Sequence, residues 1–409
     1  MNSELLNFLA SVVIVIVAAK VGGYLSIRFG QPSVLGELLV GILLGPTVLN
    51  MLGAWPLFAG DSHLSASLTL FAEIGVILLM FLAGLELELG DLLRSGRVAG
   101  LAGMLGVVVP LAGGYATARL FGLDNVEAVF IGLALSATSV SISAQTLIEL
   151  GVLRSKVGLG LLGAAVFDDI LVVLLLSGAS VVFGSEGGAG GILMVLLRMV
   201  LFLAGASVVG LFVVPRLMTL VEELPISQAV PTAALVICLL FAWASEALGG
   251  MAAITGAFMA GLFFARTDYV HHIETSLAAM AYSLFVPIFL VNIGLQANLR
   301  AISGTGWYLA IALTIVAILT KVFGSGLGAL AGGFNRRDSL RLGVGMISRG
   351  EVGLIVASVA LRAELIHPST FSGIVFMVIV ATLVTPPLLR LLYRDDVSTS
   401  PGVETAANS

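Results

Sequence analysis

The sequence predicts an all-α polytopic membrane protein of about thirteen transmembrane helices. Two observations carry that expectation. Of 409 residues, 59% are hydrophobic and only 11% charged, whereas soluble domains carry about 25% charged residues. Mean hydropathy is +1.13, and at roughly 20 apolar residues per crossing the chain accommodates a dozen or more crossings with little left over. Such a composition excludes a soluble enzyme, a nucleic-acid binder and a secreted disulfide scaffold. The single cysteine, Cys238, permits no internal disulfide and no thiolate metal cluster. The formal charge of −5 is diluted over long apolar runs and suggests no polyanionic partner.

Apolar runs punctuated by glycine, proline and charge place spans 1 to 13, in order, at 5–27, 34–50, 66–85, 98–120, 127–149, 157–183, 190–215, 228–246, 250–265, 277–295, 304–332, 340–361 and 370–392. Span 1 follows Met1-Asn2-Ser3-Glu4, which lacks the basic segment of a cleavable leader, and no A-x-A site comes after it. Span 2 is short. Loops after odd-numbered spans carry Arg28, Arg94, Arg97, Arg154, Lys156, Arg216, Arg266, Arg336, Arg337, Arg341, Arg390 and Arg394. Loops after even-numbered spans carry only Arg119, Arg300 and Arg362. The positive-inside bias predicts an outside N-terminus and a cytoplasmic C-terminus. The polar tail, 393–409, is expected to be disordered and is too short for a nucleotide-binding regulatory domain.

Three pairings suggest an internal repeat. Span 2 contains Gly36-Glu-Leu-Leu-Val-Gly41 and span 9 contains Gly256-Ala-Phe-Met-Ala-Gly261. Span 3 ends in Ala83-Gly84-Leu85-Glu86 and span 10 in Ile293-Gly294-Leu295-Gln296. Spans 5 and 12 each carry a polar break. All three share an offset of seven spans, and an odd offset turns the second unit upside down, as in inverted-repeat transporters. Spans 1–6 and 8–13 are then inverted copies, with span 7 as linker.

Ionisable groups near a bilayer centre cost roughly 2.5–3.5 kcal/mol each on insertion scales, which makes them functional candidates. Asp168-Asp169 lies in the middle of span 6. Helix geometry separates the two side chains by about 100°, so they address different neighbours: one can line a water-filled cavity while the other meets a partner. The bland reading is a pair of protonated, hydrogen-bonded core carboxyls. Lys321, inside span 11, is too deep to snorkel and is the expected partner of one aspartate, whereas Lys20 and Arg198 lie where snorkelling explains them. In span 12, Arg349 and Glu351 flank Gly350 in mid-membrane, which argues for local unwinding with compensating charges. Span 5 reads Leu135-Ser-Ala-Thr-Ser-Val-Ser-Ile-Ser, whose hydroxyls can replace lost backbone bonds. Crossed, discontinuous helices at 5 and 12 oppose their half-helix dipoles and free carbonyls that can ligate a bare cation.

Glu73 reads as a second functional carboxyl or, preferably, a domain-interface hydrogen-bonder, and Glu37 as a funnel or cap residue. His63, His271, His272 and His367 all fall in predicted loops, which argues against an intramembrane metalloprotease. Adjacent aspartates on one helix cannot converge as an aspartyl dyad. The expectation is a non-enzyme, and without any G-x-x-x-x-G-K-[ST] no cofactor or ATP site is visible.

At these residues the chain resembles the bacterial monovalent cation:proton antiporter-2 family, in particular the two-aspartate sodium/proton exchangers. The matching motifs are Gln31-Pro-Ser-Val-Leu-Gly-Glu-Leu-Leu-Val-Gly-Ile-Leu-Leu-Gly-Pro46, Ala137-Thr-Ser-Val, Ala165-Val-Phe-Asp-Asp169, Lys321 and Arg349-Gly-Glu-Val-Gly-Leu-Ile355. The resemblance implies a homodimer in the inner membrane that exchanges Na⁺ or Li⁺ for H⁺ by alternating access and electrogenically. It implies a scaffold and dimerisation domain at 1–97 and 228–300, a mobile core at 98–183 and 301–392, and a linker at 184–227. It also implies Asp169 as the ion- and proton-binding carboxylate, with Asp168, Thr138 and Ser139 around the transported Na⁺. Asp168 would pair with Lys321, and Arg349 and Glu351 would compensate charge at the crossing. Potassium-efflux relatives often append a nucleotide-binding domain, and electroneutral relatives replace the first aspartate by Asn. Both departures favour an electrogenic sodium exchanger over a K⁺/H⁺ antiporter. The rival class is a channel or sensor on the same fold: a channel would pass current without proton coupling, and a sensor would show no flux.

Overall fold

The computed structural model describes residues 3–58, 63–87, 90, 95–183, 189–223, 225–296, 298, 300, 302, 304 and 306–397, and no strand occurs among them. The helices are α1 (Ser3–Arg28), α2 (Ser33–Leu44), α3 (Met51–Ala54), α4 (Leu64–Leu85), α5 (Gly96–Leu120), α6 (Asn125–Ser136), α7 (Val140–Glu149), α8 (Lys156–Phe183) and α9 (Ala189–Val208). They continue with α10 (Val214–Glu222), α11 (Ala229–Ala247), α12 (Ala253–Phe264), α13 (Val270–Met280), α14 (Val286–Leu295), α15 (Gly306–Gly332), α16 (Arg336–Gly345), α17 (Glu351–Arg362) and α18 (Pro368–Val397). Wide π turns at Val209–Val213 and Ala281–Phe285 join α9 to α10 and α13 to α14. Pro215 and Pro287 lie just after them, where a missing amide proton favours such a widened turn.

Among the described residues ten helical stretches are long and apolar enough to cross a membrane, and three shorter apolar helices accompany them. Two of the short ones, α2 and α12, have 12 residues each, about 18 Å of helix against a hydrocarbon core of about 30 Å. These are predicted spans 2 and 9, members of one repeat pair. Span 10 starts earlier than its hydropathy suggests: α13 begins at Val270, which puts His271 and His272 on a helix rather than in the loop expected for them. The π turn lets this amphipathic segment join the apolar α14 as one crossing. At the C-terminus, α18 runs to Val397, so the first residues expected to be disordered extend the helix. Residues 398–409 lie outside the described residues.

The inverted repeat is visible in atomic contacts. A Cβ on Gly41 would sit 2.2 Å from the Val291 carbonyl oxygen, against Gly294 of α14. A Cβ on Gly261 would sit 2.2 Å from the Phe81 carbonyl oxygen, against Gly84 of α4. Only glycine lets the backbones approach this far, as small residues do at membrane helix interfaces. The α2–α14 contact therefore maps onto α12–α4 under the seven-span offset. The half-helix starts repeat too. Asp124 caps α6 by accepting from the Glu127 amide at 2.8 Å, and Asn335 caps α16 by accepting from the Asp338 amide at 2.8 Å. Each capped turn then reaches the equivalent neighbour. Glu127 accepts from the His367 amide and the Thr370 hydroxyl at the start of α18, while Asp338 pairs with Lys156 at the start of α8, 2.6 Å away.

Candidate ion-binding site

Predicted spans 5 and 12 are both broken. The first gives α6 and α7 around 137–139, the second α16 and α17 around 346–350. The two breaks cross and are stitched by main chain and hydroxyls. The Ser139 amide donates to the Ser348 carbonyl at 3.0 Å, and the Ser348 hydroxyl donates back to the Ser139 carbonyl at 2.5 Å. Ser143 lies 2.8 Å from the Ser348 hydroxyl and donates to the Gly345 carbonyl at the end of α16. Gly350 is required by this proximity, because a Cβ there would lie 2.6 Å from Ser139 Cβ. Part of the interrupted backbone is thus satisfied internally, as irregular chain at membrane depth requires.

Beside the crossing, α8 presents its aspartates in different directions. Asp168 is 0% exposed and its Oδ1 receives Lys321 Nζ at 3.0 Å, with Lys321 also 0% exposed. The same ammonium donates to the Ser136 and Gly106 carbonyls, 2.7 Å each. All three ammonium protons are placed. Ser136 is the last residue of α6, so Lys321 also sits where a cation best complements a half-helix C-terminus. At Gly106 a Cβ would fall 2.3 Å from Ser325 Oγ and 3.6 Å from the ammonium, and its absence keeps this carbonyl reachable. Asp168 also faces the buried Thr138 hydroxyl, close enough for the hydroxyl to act on the carboxylate. These are two hard oxygens at the break of α6 and α7.

Asp169 lines a crevice with Met80, Val140, Leu162, Ile254, Thr255 and Phe258. These side chains come from α4, α7, α8 and α12, and among the crevice residues the carboxylate is the only charged group. A second crevice lies between α2, α14 and α18, lined by Leu38, Ile42, Ile293, Ile379, Thr382 and Leu383. The seven-span offset exchanges α4, α8 and α12 of the first crevice with α14, α18 and α2 of the second, while α7 has no counterpart there. The chemistry is not exchanged: where the first crevice holds Asp169, the second holds Thr382, whose hydroxyl donates to the Arg349 carbonyl in the second break.

Arg349 is 0% exposed and its Nη1 donates to the Met346 carbonyl at 3.2 Å, while Nε and Nη2 find no acceptor among the described residues. It is the second buried cation whose charge reaches Asp168. The Glu351 side chain lies outside the described residues; its backbone opens α17. Ser139, expected beside the ion, is committed to the crossing through Ser348 and Ser141. Glu73 is exposed on α4. Ser143 and Ser348 were not singled out as partners by sequence. They lie 205 residues apart, and no local pattern links them.

Crossed discontinuous helices around midplane ionisable groups, built from inverted repeats, define the class of ion-coupled secondary transporters. The model of the family described as sodium/hydrogen exchanger, transmembrane, matches residues 14–392, and the chain belongs to that family. It is 42% identical over 388 residues to the Na(+)/H(+)-K(+) antiporter GerN of Bacillus cereus, covering 95% of this chain and 96% of that protein. It is 36% identical over 386 residues to the Na(+)/H(+) antiporter of Enterococcus hirae, covering 94% and 98%. The sodium proton antiporter MjNhaP1 of Methanocaldococcus jannaschii has a similar fold, with a TM-score of 0.67 at 16% identity and coverage of 97% and 98%.

Proposed function

We propose that the protein exchanges Na⁺ or Li⁺ for H⁺ across the cytoplasmic membrane by alternating access, with Asp169 as the carboxylate that takes either ion. The observation that carries this reading is the carboxylate's place, buried in a crevice where α4 and α12 meet α7 and α8. A group there, in this reading, faces water from one side at a time, and a shift of one set of helices against the other changes the side. In this reading residues 98–183 and 301–392 move as a core against a scaffold of 1–97 and 228–300, linked by 184–227. Two copies dimerise through the scaffold, with N-termini outside and C-termini in the cytoplasm. Asp168 and Thr138 contribute oxygens near the ion, and Arg349 with Glu351 balances the crossing.

Exchange is electrogenic in this reading, because the centre holds two carboxylates and one lysine. A cation-loaded site has both aspartates ionised and the lysine neutral or displaced. The returning site has the Lys321–Asp168 pair and a protonated Asp169: two protons gained, one cation lost. One net charge then crosses per cycle, worth about 2.3 kcal/mol per 100 mV. The name of the Bacillus cereus relative includes K⁺, which supports K⁺ as a second substrate.

Proteoliposomes with an imposed pH gradient, challenged in turn with Na⁺, Li⁺ and K⁺, test both readings. Proton flux driven by Na⁺ and accelerated by an inward-positive valinomycin clamp is expected. Rates indifferent to potential would mean one-for-one exchange, with Lys321 a structural bridge. Current without proton coupling would mean a channel, and no flux a sensor.

A further inference from the structure

Away from the central aspartates, where α2 packs against α7, lie buried oxygens without donors among the described residues. Its outer boundary is a contact between the two helices: Glu149, the last residue of α7, accepts from the Ser33 amide at 2.8 Å and the Ser33 hydroxyl at 2.5 Å. A carboxylate at the first turn of α2 is favoured by that helix's dipole and its free amides. Inward from this contact, one helical turn along each helix, come Glu37 on α2 and Gln145 on α7. Both are buried, at 5% and 6% exposure. Gln145 donates from its amide nitrogen to Glu149 at 3.3 Å, and its own oxygen has no donor among the described residues. Glu37 Oε2 likewise has none.

Helical side chains lean toward the preceding turn, so the Glu37 carboxyl is directed back toward Ser33. The packing agrees, since one point beside Gly23 of α1 lies 3.2 Å from Glu37 Oε1 and 3.3 Å from Ser33 Cβ. Glu37 and Glu149 therefore bracket Ser33 from two sides. Lys20, whose charge reaches Glu37, is exposed, and its ammonium donates to the Tyr282 carbonyl at 3.0 Å. Two buried acceptors without donors, beside a second carboxylate, are a costly arrangement. A cation seated between α2 and α7 would supply what the Glu37 and Gln145 oxygens lack.

We propose that this seam is a second monovalent-cation site, ligated by the Glu37 carboxylate and the Gln145 amide oxygen and closed on its outer side by Glu149, at which the transported cation is loaded. The site rests on the exchange reading given above, and in that orientation it faces the cytoplasm. Its ligands come from helices assigned to the scaffold and to the moving core. It is therefore complete only while α2 and α7 are apposed, and it releases its ion when they part.

Binding of radioactive ²²Na⁺ to purified protein in nanodiscs tests this. Wild type is expected to bind two ions per protomer, Asp169→Asn one, and Asp169→Asn combined with Glu37→Gln none. In proteoliposomes Glu37→Gln and Gln145→Leu are each expected to raise the Na⁺ concentration for half-maximal flux about tenfold with little change in maximal rate. The glutamine variant removes a buried charge, and the leucine variant touches no charge, so neither need impair folding. Asp169→Asn protein that binds no Na⁺, or a Glu37→Gln protein with wild-type binding and flux, would overturn the proposal. A wild type that binds no Na⁺ at all would instead overturn the exchange reading.

Discussion

Asp169→Asn should reduce Na⁺-driven proton flux to the level of empty liposomes while leaving the protein folded. The carboxylate is 7% exposed and is the charged group of its crevice. Asparagine keeps the volume and one acceptor oxygen but can neither take up a proton nor neutralise a cation. Burying a carboxylate is a cost that function explains, so thermal stability should hold or rise by a degree or two, on the order of the cost relieved. Retained exchange in this variant would place the transported ion elsewhere.

Lys321→Met should have the opposite signature, a large loss of stability. The substitution removes the 3.0 Å contact to Asp168 and the donors to Ser136 and Gly106, and strands a wholly buried carboxylate. Breaking one partner of a buried pair costs about 3–5 kcal/mol, whereas removing both charges is far milder. Adding Asp168→Asn to Lys321→Met should therefore recover most of the lost melting temperature, as a thermal-shift double-mutant cycle would read. If single and double variants melt together, the bridge contributes nothing to the fold. Any exchange that the double variant retains should be insensitive to membrane potential, because the second titrating group is gone.

Much of this centre was legible in sequence because its signals are local or have few competitors. An adjacent aspartate pair within an apolar run, and a lysine too deep to reach water, leave little choice of partner in a chain with three lysines. The glycines of the repeat were legible as well, since spacing alone pairs Gly41 with Gly261 and Gly84 with Gly294. Their actual neighbours, Gly41 on Gly294 and Gly84 on Gly261, needed the fold. Illegible were contacts between distant segments made by ordinary residues. Ser143 with Ser348, Glu127 with Thr370 and Ser33 with Glu149 are each more than 100 positions apart. A serine that stitches two broken helices looks, locally, like a serine bonded to its own backbone. The start of α13 was missed for a different reason, because His271 to Thr275 is polar enough to read as loop until the apolar α14 continues it.

Two crevices of one repeat design, only one of them with a carboxylate, lead to a simple physical account. Asp169 is the group that distinguishes them, and Na⁺ and H⁺ compete for it. The most direct measurement is the Na⁺ concentration for half-maximal proton flux in proteoliposomes, taken from mildly acidic to alkaline pH. Competition predicts that this concentration rises as pH falls, approaching about tenfold per pH unit for each competing proton once the carboxylate is mostly protonated. A half-saturation concentration that stays flat across the range would contradict a shared site.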